Sequence, residues 1–324
     1  MNEAMVSSRQ RPAALIDRIS DTAYCAAALA RRIRIPARWA PLLLTSPALV
    51  LLAVFVLMPV IVVAALSLFD YDLLAGTTSY VGLGNYRSSL SNGQLQQGIW
   101  HTLLYWLLTV PSIVGLGLAI AVAINTLTHG RSLWRTAYFL PAAATLAAMS
   151  VVWTWMFYPT TGVIDSTLGR LTGATDWLDS TALALPAVAI VGSWQGIGSS
   201  MIMCLAGLNN VNPDLLEAAR LDRAGAWARL WHVTLPALGP ALVFSIVVAT
   251  RNSLSVFDQI QVMTQGGPVQ SSATLSFLMW QRAITFSDIG GGSVISLTLL
   301  GLVLAATVIQ LRSFGRRWES AGSR

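Results

Sequence analysis

The chain has 324 residues, of which 55% are hydrophobic and only 10% are charged, and its formal net charge is +6. A soluble domain carries about 25% charged residues, so this composition excludes a water-soluble globular protein and indicates an integral membrane protein. The two cysteines, Cys25 and Cys204, form neither a disulfide framework nor a zinc-binding spacing.

Residues 1–40 form a polar segment with seven arginines, and we predict a cytoplasmic tail there. Its short apolar run, from Ala23 to Ala30, follows two aspartates and precedes further arginines, which is not the charge order of a secretory signal peptide. Arginines in the second half of the tail are suited to lie against anionic lipid at the membrane surface. A second cytoplasmic tail is predicted at residues 314–324.

Residues 41–313 contain six apolar blocks, each long enough to cross a membrane. A hydrocarbon core of roughly 30 Å needs about 20 apolar residues in a helix, and helices satisfy their own backbone groups in lipid. The blocks are 42–69, 98–128, 136–158, 182–208, 237–262 and 291–311. We therefore predict an all-α membrane protein with six transmembrane helices, in which Pro111, Pro141 and Pro186 kink or start helices.

The distribution of arginine predicts the orientation in the membrane. If the N-terminus is cytoplasmic, the cytoplasmic segments hold 16 of the 20 arginines but only seven of the 14 acidic residues. Cytoplasmic connections of membrane proteins are enriched in positive charge. Both termini, and the polar stretch 212–238 between the fourth and fifth blocks, are therefore predicted to be cytoplasmic.

The stretch 212–238 has the pattern of a helix, a turn and a second helix. Asn212 is a good N-cap, Pro213 suits the first helical position, and Asp214 lies at the positive end of the helix dipole. We expect Gly225 to break the first helix, and Pro236 to stop or kink the chain before the next apolar block.

The same stretch carries a family resemblance. Its Glu217-Ala218-Ala219, Asp222, Ala224-Gly225 and Val233-Thr234-Leu235-Pro236 resemble the cytoplasmic "EAA" loop of ABC-importer permeases of the maltose and glycerol-3-phosphate type. Shorter segments that resemble these permeases are Val81-Gly82-Leu83-Gly84-Asn85-Tyr86, residues 135–141 and Thr264-Gln265-Gly266-Gly267-Pro268. One departure is Arg223, since the family usually has glycine there for a turn with positive φ. We expect Gly225 to take over that turn.

The resemblance implies the type I permease fold of ABC importers in the bacterial plasma membrane. It also implies a second homologous permease, two cytoplasmic ATPase subunits and an extracytoplasmic solute-binding protein. The residues implied to couple this chain to the ATPase are Glu217, Ala218, Ala219, Asp222, Gly225, Leu235 and Pro236. The chain lacks GxxxxGK[ST], HExxH and GxSxG motifs, so we expect no catalytic residue, metal site or cofactor in it, and ATP and Mg bind the partner ATPase.

Polar residues inside two apolar blocks indicate a solute site. Ala249, Asn252, Ser253 and Val256 share one helical face in the fifth block. In the fourth block, Ser193, Gly196 and Ser199 form a related stripe beside Gln195. Polar groups in a membrane helix face a cavity or another helix. By resemblance, these positions match the sugar site of maltose-type permeases; the alternative interpretation is helix packing, which Gly192-xxx-Gly196 also favours.

Arg251 and Asp258 are charged residues inside the fifth block. They are seven residues apart, which is roughly 10.5 Å along a helix axis. We favour a structural ion pair between them, because a lone arginine in a membrane is costly. Contact with a solute is the alternative, and an anionic solute would make Arg251 the first candidate.

These observations predict the transmembrane subunit of an ATP-driven importer for a sugar or related polyol. Glycerophosphodiesters, amino sugars and other solutes are alternatives within the same class. A non-transporting membrane scaffold or sensor would not need the coupling stretch or the family-like outer loops. A secondary transporter would need inverted repeats or an ion relay, and neither is evident in the sequence.

Overall fold

The structure is a computed structural model that describes residues 40–72, 77–159, 161–169 and 176–322. The predicted N-terminal tail lies outside the described residues, apart from Ala40, where the first helix begins. The chain divides into two compact units, Met1–Ile61 and Val62–Arg324. The candidate site lies entirely within the second unit.

The first apolar block is helical, with one widened turn. Helix α1 covers Ala40–Leu52, a π-helical turn covers Ala53–Leu57, and α2 covers Met58–Leu66. One residue, Met58, separates this wide turn from Pro59, and one residue, Leu235, separates a second wide turn at Leu230–Thr234 from Pro236. Because proline lacks an N–H and crowds the carbonyl four residues earlier, a wider turn accommodates it without ending the helix.

A β-hairpin follows α2, and the all-α prediction missed it. Strand β1, Phe69–Asp72, pairs antiparallel with β2, Thr77–Tyr80, so that Phe69 lies opposite Tyr80. The two rings meet edge to face at 5.4 Å, an arrangement that aromatic pairs favour.

The Val81–Tyr86 segment leads into helix α3, Gly84–Ser91, and holds this region together. Asn85 Nδ2 donates to the carbonyls of Ser67 and Phe69, at 3.0 and 2.9 Å. The Tyr86 hydroxyl forms a 2.9 Å hydrogen bond with Ser67 Oγ. The family-like motif thus fixes the hairpin to the end of α2.

The remaining membrane helices belong to the second unit. They are α4 Gln94–Thr126, the pair α5 Arg131–Ala143 and α6 Leu146–Met156, α7 Ala184–Leu208, α11 Gly239–Leu254 with α12 Asp258–Met263, and α14 Ile289–Gly322. A π turn lies at Asp165–Gly169, and α13 Leu275–Trp280 runs into a π turn at Gln281–Thr285. In the described part of the chain, five helices are long and apolar enough to cross a membrane, or six if the α5–α6 pair is one span.

The third predicted span differs from a straight helix. Helices α5 and α6 meet at 94°, with Ala144 and Thr145 in extended backbone between them. Pro141 removes one backbone donor from the last turn of α5, which weakens the helix there. The block 136–158 is therefore helical on both sides of a bend that follows Pro141, in line with the kink predicted at this proline, and it is not one straight span.

Glycines allow α4 and α7 to approach closely. A Cβ at Gly117 of α4 would lie 2.6 Å from Ser200 Oγ, and a Cβ at Gly196 of α7 would lie 2.7 Å from Ile113 Cδ1. At Gly117 a Cβ would also lie 3.0 Å from the Met201 backbone N, whereas at Gly196 the Ile113 side chain would have to move. Small residues at such contacts are the common device of membrane helix packing.

Candidate functional site

A cavity of about 410 Å³ lies among α4, the α5–α6 bend, α7 and the α11–α12 segment. Ligand sites in proteins are concavities of about this size, with a few polar groups among apolar ones. Its lining residues are Tyr105, Ile113, Ala142, Leu146, Gly192, Gln195, Gly196, Ser199, Ser200, Met203, Ser245, Val248, Ala249, Arg251, Asn252, Ser253, Ser255, Val256, Phe257, Asp258 and Gln259.

The structure brings together most of the residues predicted for solute binding. Those that line the cavity are Gln195, Gly196, Ser199, Arg251, Asn252, Ser253, Val256 and Asp258. Ser193 is buried and is not among the lining residues, so its part in solute binding stays a prediction. The lining residues of α7 include Gly192, Gly196 and Ser199, which are spaced i, i+4 and i+7 on one helical face.

The polar residues of these two helical stripes differ in burial and in hydrogen bonding. Ser253 is buried and its Oγ is hydrogen-bonded to Thr109 of α4 at 2.7 Å. Ser200 and Ser245 are likewise hydrogen-bonded to each other at 2.8 Å. Asn252 is exposed and Ser199 is half-buried. The last two side chains are accessible and line the cavity, whereas the Thr109–Ser253 and Ser200–Ser245 hydrogen bonds join helices.

Arg251 and Asp258 both line the cavity but form no ion pair with each other. Across the described ranges, the ion pair that forms is Arg282 with Asp288, at 3.1 Å. The chain leaves helical geometry between Leu254 and Asp258, so the two charges do not share one helical face. The predicted Arg251–Asp258 pair is therefore wrong; Arg251 Nη1 instead donates to Asn252 Oδ1 at 3.3 Å.

Two amide side chains in the cavity wall are held by other helices. Gln195 Nε2 donates to the carbonyl of Ala144, at the α5–α6 bend, at 3.0 Å. The Tyr105 hydroxyl donates to Gln259 Oε1 at 2.7 Å. Neither Tyr105 nor Gln259 was predicted from the sequence. The position of Gln259, a glutamine inside an apolar block, was the signal that could have indicated it.

The polar stretch begins as predicted. Helix α8 covers Pro213–Leu221, and Asn212 Oδ1 accepts from the Asp214 N–H at 2.9 Å, which caps it. The second helix is made of α9, Ala226–Arg229, the π turn at Leu230–Thr234 and α10, Leu235–Ala237. The chain stays helical through Pro236 to Ala237, and the predicted interruption before the next apolar block is a turn at Leu238.

The turn between the two helices differs from the expectation. Arg223 itself has φ +56°, whereas Gly225 is extended, with φ −62° and ψ 163°. Arginine therefore adopts the left-handed conformation that glycine usually supplies, and Gly225 instead precedes the second helix as its N-cap.

Most of the predicted coupling residues lie at the surface of the second unit. Glu217, Ala218, Asp222, Gly225 and Pro236 are exposed, whereas Ala219 and Leu235 are half-buried. Large apolar side chains surround them: Leu221 is 85% exposed and Trp227 is 70% exposed. Exposed apolar residues next to charged ones are typical of a protein–protein contact surface.

Membrane helices surround a polar cavity, and an exposed polar helix pair connects α7 to α11 along the chain. This combination defines a membrane transport subunit. The chain belongs to the family of binding-protein-dependent transport system inner membrane components, whose sequence pattern matches residues 90–318. The prediction of a transport permease subunit is thereby confirmed.

Named relatives are similar along most of their length. The sulfoquinovosyl glycerol transport system permease protein SmoG of Agrobacterium fabrum is 30% identical over 272 residues, covering 83% of this chain and 88% of the relative. The arabinooligosaccharides transport system permease protein AraP of Bacillus subtilis is 29% identical, with coverages of 85% and 88%. The sn-glycerol-3-phosphate transport system permease protein UgpA of Agrobacterium fabrum is 28% identical, with coverages of 87% and 97%.

A solved structure shows the same fold. A chain of a bacterial ABC transporter that imports the acidic polysaccharide alginate matches with a TM-score of 0.72 at 19% identity. The match covers 86% of this chain and 96% of that chain. The predicted ABC-importer permease fold is therefore confirmed.

Proposed function

We propose that this subunit carries a sugar or related polyol through the 410 Å³ cavity. The observation behind the proposal is that Ser199 and Asn252 line that cavity from two different membrane helices, and that Ser199 Oγ and Asn252 Nδ2 have no hydrogen-bond partner among the described residues. A hydroxyl-rich solute needs donors and acceptors in place of water, and a membrane interior offers them only from the protein. The names of SmoG and AraP, which refer to sugar-containing solutes, support the same class.

The proposed assembly contains a second homologous permease, two ATPase subunits and an extracytoplasmic solute-binding protein. ATP and Mg would bind the ATPase subunits. The exposed face of α8, with Glu217 and Ala218, is the proposed ATPase contact. Small residues allow close backbone approach, and a carboxylate suits a bidentate pair with arginine.

The proposed orientation places both termini and α8 in the cytoplasm, and the β-hairpin outside. Cysteine labelling in a variant without Cys25 and Cys204 tests it. Ser79→Cys in β2 should react with an impermeant reagent added outside, and Arg223→Cys should react only after the membrane is opened. The reverse pattern contradicts the orientation.

Transport itself is tested in proteoliposomes that contain the complete complex and its binding protein. The solute panel is glucose, maltose, trehalose, arabinobiose, glycerol 3-phosphate and glucuronate, all radiolabelled. We expect ATP-dependent uptake of at least one neutral sugar, and loss of that uptake in Asn252→Leu. Ser112→Leu, a half-buried position of α4 outside the cavity lining, is the matched control. Uptake of none of the panel would contradict the proposal.

An acidic solute is the second candidate, and Arg251 favours it. This arginine lines the cavity without a carboxylate partner within the described residues. The names of SmoG and UgpA refer to a sulfonated sugar and a sugar-alcohol phosphate. If the solute is acidic, Arg251→Gln should abolish uptake of glycerol 3-phosphate or glucuronate. If the solute is an amino sugar, Asp258→Asn should have the larger effect.

A further inference from the structure

The hydroxyl of Tyr105 fixes the orientation of an amide in the cavity wall. Tyr105 is 2% exposed, and its hydroxyl donates to Gln259 Oε1 at 2.7 Å. Because the amide oxygen is held by this donor, Nε2 of Gln259 is the end that is left for another partner. Among the described residues Nε2 has no hydrogen-bond acceptor, and Gln259 lines the cavity.

Gly192 makes room for this hydrogen bond. A Cβ at position 192 would overlap the Tyr105 hydroxyl and would lie 3.1 Å from Gln259 Oε1. A larger residue at this point of α7 would separate the two partners. Three helices therefore contribute one residue each to the arrangement: α4 supplies Tyr105, α7 supplies Gly192, and α12 supplies Gln259.

Gln195 provides the opposite hydrogen-bonding group. Its Nε2 is used by the carbonyl of Ala144, so its orientation is also fixed. Its Oε1 is buried and has no hydrogen-bond partner in the described parts of the chain. The Gln195 side chain is 7% exposed and lines the cavity. A buried acceptor without a donor costs free energy unless a ligand or water satisfies it.

We infer that Gln259 Nε2 and Gln195 Oε1 are the specificity-determining donor and acceptor of this cavity, with Tyr105 as the positioning residue for the donor. The inference rests on the proposed transport of a sugar or polyol. A hydroxyl group both accepts and donates, so one hydroxylated solute satisfies both amides. An apolar solute, or one whose hydroxyls are methylated, leaves both unpaired and is rejected.

Uptake kinetics in the proteoliposomes test the inference. Tyr105→Phe keeps the ring and removes only the hydroxyl, so the amide of Gln259 loses its fixed orientation. We expect the KM for the imported neutral sugar of the panel to rise about ten-fold, with Vmax and complex yield retained, as for one lost hydrogen bond to a polar group. Gly192→Ala should have the same effect, whereas Gly115→Ala, where a Cβ meets no neighbour within 4 Å, should not.

A double variant separates positioning from packing. In Gln259→Leu, the added Tyr105→Phe change should cause no further rise in KM, because the amide that Tyr105 orients is absent. Independent effects of the two changes, or a fall in complex yield with an unchanged KM, would overturn the inference. A wild-type complex that imports no solute of the panel would instead contradict the proposed function, so the two failures are distinguishable.

Discussion

Thr109 of α4 and Ser253 of α11 are hydrogen-bonded at 2.7 Å in the buried wall of the cavity. The bond joins α4, which precedes the polar stretch 212–238 in the chain, to α11, which follows that stretch. The adjacent Asn252 is exposed and turned toward the same cavity. Neighbouring polar residues therefore have different tasks, since one stabilises the bundle and the other is available to a solute.

The first prediction separates these two tasks. Asn252→Leu should lower sugar uptake about ten-fold, because a bound hydroxyl loses one partner, while the amount of assembled complex stays unchanged. Ser253→Ala should leave uptake nearly intact but lower the free energy of unfolding by about 0.6 kcal/mol, as for one interhelical hydrogen bond in a membrane. Uptake assays and unfolding in detergent measure the two effects. Equal loss of uptake in both variants would contradict the division.

The second prediction concerns the turn after α8. Arg223 has φ +56°, a conformation that is unfavourable for an arginine. Arg223→Gly should therefore stabilise the loop by about 1 kcal/mol, because glycine adopts the left-handed conformation without the steric cost of a Cβ. Thermal unfolding of the assembled complex measures the change.

Gly225 is the matched control for this turn. Gly225 has an extended backbone, with φ −62° and ψ 163°, and a Cβ added there would meet no atom within 4 Å. Other residues therefore fit at this position. Gly225→Ala should therefore leave the melting temperature unchanged. Destabilisation by Gly225→Ala together with no effect of Arg223→Gly would show that the glycine, not the arginine, carries the constraint.

The third prediction tests the coupling surface. Glu217→Gln keeps the shape of the side chain and removes its charge, so an arginine on the ATPase would lose its partner at a cost of about 2–5 kcal/mol. We expect weaker retention of the ATPase during purification and reduced solute-stimulated ATP hydrolysis. Asp214→Asn removes the same charge from the first turn of the same helix and should have little effect on either. Wild-type behaviour of Glu217→Gln would exclude this carboxylate from coupling.

The fourth prediction concerns the segment that follows the hairpin. Asn85→Ala removes two hydrogen bonds to backbone carbonyls and should cost about 2 kcal/mol of stability. Proteolysis from the outer side of oriented vesicles should then cut the hairpin faster. Asn92→Ala, an exposed asparagine at the end of α3, is the control. Equal protease sensitivity of the two variants would contradict this role of Asn85.

Sequence reasoning succeeded where one local interaction decides the structure. Long apolar blocks predict membrane helices because lipid leaves the backbone no other partner, and the cap formed by Asn212 depends only on its next two neighbours. The bend between α5 and α6 was not predictable in the same way. Pro141 indicated a perturbation, but its angle of 94° depends on contacts with distant residues such as Gln195.

The candidate site was predicted only in part for the same physical reason. Helical spacing identified Asn252 and Ser199, which lie on the cavity faces of α11 and α7. Spacing did not reveal that α11 ends at Leu254, and so it predicted an Arg251–Asp258 pair that does not form. Tyr105 lies 154 positions before Gln259, and only the folded chain brings them together.

The close approach of α5 to α7 at Gly198 has a mechanical consequence. A Cβ at Gly198 of α7 would overlap the Tyr138 carbonyl and lie 3.1 Å from the Phe139 Cα, so α5 rests on the backbone of α7 with no side chain between them. Such backbone contact has little compliance, because no rotamer change can absorb a displacement. A sideways movement of α7 must carry the bent pair with it, and the cavity then changes shape as a whole rather than one wall at a time.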